Sequence, residues 1–233
     1  MLSFYLCDLC DSVVQLFMKA QENMDRDRDL LKTVGSLDKP LLQFYHFSEP
    51  AATYGHFADP DKLLLPGHSL DLGKRPTGGG LIFHTHDLAF SLLIPANHPL
   101  YGKNQLESYH NVHHLLIEAI TPLLPKSAAP LSLLSKEHSP SVPYCMAHAT
   151  QYDLLQGGKK VGGAAQRRTK EGLLHQGSLF LHLPPLDWLA QRVPANILTS
   201  ISTESGSLFS NDILLEELRL AVKVQIMNIV LLF

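Results

Sequence analysis

Arg75-Pro-Thr-Gly-Gly-Gly-Leu-Ile-Phe-His84 is the stretch on which the reading of this chain turns. Three consecutive glycines cost backbone entropy and add no packing, so they point to a close approach of the backbone to something else. Successive N–H groups in such a turn converge on an anion, and the Arg75 guanidinium is a bidentate partner for phosphate or carboxylate. A plain tight turn between strands is the alternative. After the glycines, Leu81–His84 and Leu88–Ile94 read as two strands joined by a polar turn at Thr85–Asp87.

N-terminal to this stretch, residues 12–33 read as a helix with Val13, Val14, Phe17 and Met18 on one face and a charged run from Glu22 to Asp29. Leu42, Phe44, Tyr45 and Phe47 suggest a strand ending at Ser48–Pro50, followed by a loop through Gly55 and Pro60. On the other side, residues 104–124 form a helix carrying Leu115, Leu116, Ala119 and Ile120, closed by Pro122. Residues 125–143 read as a surface loop. Asp153–Gln156 and Lys159–Gly163 form a hairpin around Gly157-Gly158. Strands follow at Leu173–His175 and Ser178–His182, and Ser210–Asp212 caps a last helix that begins near Ile213 and bears Leu215, Leu218 and Val222. The expectation is an α/β (α+β) fold, a mixed sheet flanked by helices, in one domain over residues 1–233.

Composition narrows the function. The chain has 233 residues, 45% hydrophobic and 18% charged, enough for a substantial core. Nineteen basic residues against 22 acidic ones leave a net charge of −3, which gives no support to a nucleic-acid binder. No apolar run approaches the ~18–20 residues that span a bilayer. Three cysteines argue for a reducing compartment, and a cytoplasmic location is expected. Cys7 and Cys10 form a lone CxxC without a second ligand pair. His84 and His86, and the cluster His110, His113 and His114, lack carboxylate or thiol partners at metalloenzyme spacing, so no metal site is expected. GxSxG, P-loop, GxGxxG and HExxH motifs are absent.

Two further features carry chemistry. In Gly157-Gly-Lys-Lys-Val-Gly-Gly-Ala-Ala-Gln-Arg-Arg168 a lysine pair precedes small residues against which a ligand can lie. Lys160 there is a mobile point charge suited to negative charge developing on an acyl or phosphate oxygen. A solvated basic hairpin is the alternative. Cys145 lies 15 residues before Lys160; a cation beside a thiol favours the thiolate, whereas a cysteine between Tyr144 and Met146 is otherwise an inert core residue.

Together these segments resemble the lipoate–protein ligase and octanoyltransferase family, whose catalytic fold is shared with biotin–protein ligases and is of class II synthetase type. Glu22-Asn-Met-Asp-Arg-Asp27 resembles its N-terminal helix motif, and Tyr45–Gly55 its aromatic-plus-glycine strand. Arg75–His84 resembles its RRxTGGGxVxH loop, and Lys159–Arg168 continuing to Ser178 its catalytic-lysine segment. The resemblance implies that Arg75, Thr77 and Gly78, Gly79 and Gly80 cradle the carboxyl end of the acyl group and an adenylate phosphate. It implies that Lys160 holds the activated carbonyl, that Gly162, Gly163 and Ala164 line the acyl tunnel, and that His84 sits near the site. Lys74 stands where the signature usually has a second arginine.

Two activities are implied. A ligase uses ATP and Mg²⁺ to activate lipoate or octanoate, then acylates the lysine of an apo lipoyl domain of a 2-oxoacid dehydrogenase or glycine cleavage protein. A transferase takes the acyl group from octanoyl-carrier protein onto a cysteine and needs no cofactor. The segment Cys145–Asp153 resembles that of the cysteine-using branch, while the full triple glycine favours the ligase, because that branch tends to have arginine at the third position. The expectation leans to the ligase. A catalytically inactive lipoyl-domain or acyl binder is a third reading. Neither nucleic acid nor membrane is an expected partner.

Overall fold

The computed structural model describes residues 17–136, 142–209 and 215–230. Val13, Val14, Cys7, Cys10, the Ser210–Asp212 cap and the helix start near Ile213 lie outside them. The first helix, α1 (Ala20–Lys32), begins later than its pattern suggested. Phe17 and Met18 precede it, and Met18 instead forms a parallel bridge with Phe47. Helix α1 buries Met24, Asp27 and Leu31 on one face, a 3–4 spacing that keeps them one above another.

Among the described residues, nine strands form two sheets. The larger runs β1 (Leu41–Phe44), β5 (Leu88–Pro95), β9 (Gly172–Leu179), β8 (Lys159–Arg168), β7 (Leu154–Gln156) and β6 (Leu131–Leu133), antiparallel throughout. The smaller places β2 (Ala51–Tyr54) between β3 (Asp71–Lys74), parallel to it, and β4 (Leu81–His84), antiparallel to it. The chain is therefore a mixed α/β fold, with one correction to the expected sheet. The two strands on either side of Thr85–Asp87 are not partners: β4 belongs to the small sheet and β5 to the large one.

Other elements depart from the sequence pattern for identifiable reasons. Ala51–Tyr54, read as loop, is β2; its short apolar run is buried on both faces and shows no alternation. Leu131–Leu133, within the expected surface loop, is the edge strand β6. Leu173–His175 and Ser178-Leu179 belong to one strand, β9, while Phe180–His182, expected as strand, lie beyond its end; Gly177 interrupts the pattern, and a Cβ there would lie 2.4 Å from the Phe90 ring. The hairpin at Gly157-Gly158 is present, with φ of +57° and +81°.

After the short helix α2 (Pro60–Leu63), helix α3 (Gln105–Ile120) buries Leu115, Leu116, Ala119 and Ile120 against the large sheet, and Pro122 falls in a 3₁₀ turn just beyond it. Helix α6 (Leu215–Val230) adds Leu218, Val222 and Ile226 to this core. Helices α4 (Leu186–Ala190) and α5 (Ala195–Glu204) cover the small sheet through Leu189, Val193 and Ile201. No helix among the described residues is long and apolar enough to cross a membrane.

Between α3 and the sheet lie two buried imidazoles, His113 and His175, with ring centroids 5.1 Å apart. Burial lowers the pKa of both, and for His175, which the His113 charge also opposes, the drop is well below the ordinary 6.5. A histidine depressed in this way binds its proton more readily when unfolded, so its contribution to stability is whole above pH 6.5 and is lost as pH falls toward the folded value. Thermal unfolding is accordingly expected to shift to lower temperature from pH 7 to pH 5. The shift should shrink in His175→Phe, whose ring can keep the stacking on Phe90; an unchanged pH slope in that variant would exclude His175 as the cause.

Candidate functional site

The two sheets and α1 enclose a mostly apolar cavity of about 120 Å³, walled by Met24, Ile82, Tyr144, Ala164, Ala165 and Phe180. Arg75, Gly79, Gly80, His84, Cys145, Lys160, Gly163 and Ala164 open onto it. Three other candidates do not. Thr77 is buried beside the cavity, where its hydroxyl donates to Gln176 Oε1 at 2.7 Å. Gly78 and Thr77 border an outer groove with His56 and Arg167. Gly162 faces Leu179, whose Cδ2 lies 3.0 Å from the position of an added Cβ.

Lys160 reaches the cavity because of a break in register. Leu154 pairs with Gly162 but Leu155 with Lys160, so Val161 is an extra residue in β8. Such a bulge shifts the alternation by one, and Lys160 and Gly163 come to the same side: Lys160 Nζ lies 3.0 Å from where a Gly163 Cβ would be. The ammonium donates to Asp153 Oδ2 at 2.6 Å and to the His148 carbonyl at 3.0 Å. Asp153 also accepts from the Thr150 backbone at 2.7 Å and the Thr150 hydroxyl at 3.0 Å. Both members of the ion pair are buried, with side chains 5% and 3% exposed. Nothing in the sequence pattern marked Asp153. It follows Tyr152, which holds φ at +69° and whose carbonyl accepts from His113 Nδ1 at 2.5 Å; such backbone strain persists where surrounding contacts fix it.

Cys145 is brought in by the third glycine. The Cys145 N–H donates to the Leu81 carbonyl at 2.9 Å, and the Leu81 N–H to the Pro143 carbonyl at 2.9 Å, so residues 143–145 run alongside β4. A Cβ on Gly80 would lie 2.3 Å from the Pro143 carbonyl. Gly80→Ala must therefore push this segment away. The expected cost is about 1–3 kcal/mol in stability, read by denaturant unfolding, with slower alkylation or acylation of Cys145. Wild-type stability and thiol reactivity in that variant would exclude the close passage as the reason for the glycine. The Cys145 thiol lies 3.8 Å from the corresponding position on Gly79, whose φ is +90°. The N–H groups of Gly79 and Gly80 donate to no described residue.

Arg75, which lines the cavity, is hydrogen-bonded to the glycine loop and to Thr53. Its Nη1 donates to the Thr53 carbonyl and hydroxyl at 3.0 and 2.9 Å, and its Nη2 to the carbonyls of Gly78 and Gly80 at 3.1 and 2.7 Å. The guanidinium thus holds the glycine loop in shape. A second network fixes the loop from α1. Asp27 accepts from Tyr45, from Ser91 at 2.9 Å and from Gln176 at 2.7 Å, and Gln176 in turn accepts from Thr77. Burial raises the Asp27 pKa, opposed by these hydrogen bonds. His84 joins Thr53 to Asp87, with Nε2 2.8 Å from the Thr53 hydroxyl and Nδ1 2.8 Å from Asp87 Oδ2. Among the described residues no group of three His, Cys, Asp or Glu side chains is placed to hold a metal ion.

A mostly apolar pocket lined by a thiol and an ion-paired ammonium is the kind of site an enzyme offers an apolar substrate. The chain belongs to the lipoyl protein ligase A/B catalytic domain family, whose match covers residues 19–204. It is similar to octanoyltransferase LipM of Symbiobacterium thermophilum, 30% identical over 191 residues, or 76% of this chain and 67% of that protein. LipM of Geobacillus kaustophilus is 28% identical over 155 residues, or 62% of this chain and 55% of its own length. The chain thus spans less than two thirds of that relative. In fold it resembles a putative lipoate protein ligase from T. acidophilum with bound lipoic acid (TM-score 0.67, 20% identity, 92% of this chain and 82% of that one). A lipoate-protein ligase A bound with ATP is similarly close (TM-score 0.66, 21% identity, 92% and 83%).

Proposed function

We infer that this protein is an ATP-independent octanoyltransferase, with Cys145 as nucleophile and a lipoyl-domain lysine as acceptor. The observation that carries this reading is that Cys145 and Lys160 line one mostly apolar cavity. The triple-glycine argument for a ligase weakens beside it, and so does the implied phosphate cradle. Gly80 has a local steric reason in the passage of Pro143, and the terminal nitrogens of Arg75 are engaged with Thr53 and the glycine loop. The similarity to proteins named octanoyltransferase LipM supports the same choice.

On this reading Cys145 Sγ attacks the carbonyl of an octanoyl thioester, and the carrier leaves as its thiol. The acyl group then rests on Cys145 until the acceptor amine attacks, forming the amide and releasing the cysteine. Lys160 Nζ has three donors and uses two on Asp153 and His148; the third, with the N–H groups of Gly79 and Gly80, is available to the oxyanion of either step. The test is intact mass of an apo lipoyl domain after incubation with octanoyl-carrier protein alone, or with octanoate, ATP and Mg²⁺. A mass gain in the thioester arm, with an octanoyl adduct on Cys145, is expected. A gain confined to the ATP arm would make the protein a ligase and Cys145 a structural thiol.

A further inference from the structure

We propose that Thr53, His84 and Asp87 form a proton relay that deprotonates the acceptor lysine; this rests on the transferase reading above. An acceptor lysine reaches the site as an ammonium, with only about one molecule in 10³–10⁴ neutral at pH 7, so transfer needs a base at the cavity. Lys160 is poorly placed for that role. Its Nζ donates to a carboxylate and to a carbonyl, both acceptors, and as an ammonium it has no lone pair to offer.

The relay has the required polarity. Arg75 Nη1 donates to the Thr53 hydroxyl oxygen, leaving the hydroxyl proton to point along the 2.8 Å contact to His84 Nε2. Asp87 Oδ2 accepts from His84 Nδ1 at 2.8 Å and from the Ser178 hydroxyl at 2.7 Å, which sets the tautomer with the Nε2 lone pair toward Thr53. These distances and this order of hydroxyl, imidazole and carboxylate are those of an acid–base triad. Thr53, His84 and Ser178 open onto the acyl cavity. The ring is further held by Phe47, stacked at 4.6 Å, and Arg219 Nε donates to the Asp87 carbonyl at 3.0 Å. Asp87, Arg75 and Arg219 are the charged groups hydrogen-bonded to the relay, and His46, Glu49, His86, Glu216 and Lys223 share the outer pocket that His84 also lines.

The step balances. Thr53 Oγ1 takes one proton from the ammonium as it passes its own to His84 Nε2. The neutral amine attacks the Cys145 thioester carbon, the C–S bond breaks, and the second proton leaving nitrogen converts the Cys145 thiolate to a thiol. His84 returns its proton to solvent before the next cycle. Thr53 is the group that touches the reacting nitrogen; Asp87 is a positioning residue.

The experiment loads Cys145 with octanoate from octanoyl-carrier protein, verifies the adduct by intact mass, and chases it with apo lipoyl domain or with hydroxylamine, a nucleophile that is neutral at pH 7. In Thr53→Val the lysine chase is expected to slow on the order of 10²-fold more than the hydroxylamine chase, and to recover as pH rises from 7 to 9. Thr53→Ser should restore the lysine chase. Equal slowing of both nucleophiles, or no slowing of either, would overturn the relay. Wild type provides a second measurement that does not depend on any variant folding. Its lysine chase should level off well below the free-lysine pKa of about 10.4, and a rate that keeps rising about tenfold per pH unit toward that value would also overturn the relay. Failure of wild-type Cys145 to load at all would instead overturn the transferase reading.

Discussion

Cys145→Ser is expected to lose octanoyl transfer from a thioester donor by on the order of 10⁴-fold or more, the scale seen when a catalytic nucleophile is removed. Serine keeps the shape of the side chain, and the backbone contacts of Cys145 with Leu81 do not involve the sulfur. Stability should therefore change little. A serine alkoxide is a far scarcer nucleophile at pH 7 than a cysteine thiolate. Single-turnover transfer to an apo lipoyl domain, with intact mass of the enzyme, is the measurement. Near-normal transfer by this variant would remove Cys145 from the mechanism and return the protein to the ligase reading.

The second large effect falls on Lys160. Lys160→Ala removes a donor to the developing oxyanion, at an expected cost on the order of 10²–10³ in rate. It also leaves Asp153 buried with only Thr150 as partner, which should destabilise the protein by about 3–5 kcal/mol. The two consequences separate in a double variant. Lys160→Met with Asp153→Leu removes both charges, and burial of similar apolar volume is expected to restore most of the stability while transfer stays low. Urea unfolding and single-turnover rates on the three proteins decide the matter. If Lys160→Ala keeps its rate, or the double variant recovers transfer along with stability, Lys160 is structural only.

These expectations show how unevenly the site was written into the chain. The glycine loop, Lys160 and Cys145 stood out because their residue types are costly or reactive where they occur. Arg75 stood out equally, and the structure adds its hydrogen bonds to Thr53, Gly78 and Gly80. An arginine beside a glycine turn looks the same in sequence whether it grips a ligand or the turn itself. Asp153, Thr53 and Asp87 left no signal, being ordinary polar residues whose importance comes only from burial and partners. Periodicity located α3 and the Gly157-Gly158 hairpin well. It missed β2 and β6, short strands in which neither alternation nor length separates strand from loop.

Local chemistry, readable from sequence alone, determined which residues carry reactive groups and where the chain must turn tightly. Glycine permits φ values near +57° and +81° at residues 157 and 158, and no other part of the protein is needed to say so. Tertiary structure alone decided which of those groups meet. The extra residue Val161 in β8 exchanges the faces of Lys160 and Gly162, and the absent Cβ of Gly80 lets residues 143–145 run beside β4. Both depend on pairing between segments many residues apart. A one-residue change of register, invisible in composition or spacing, turns a side chain from one face of a sheet to the other.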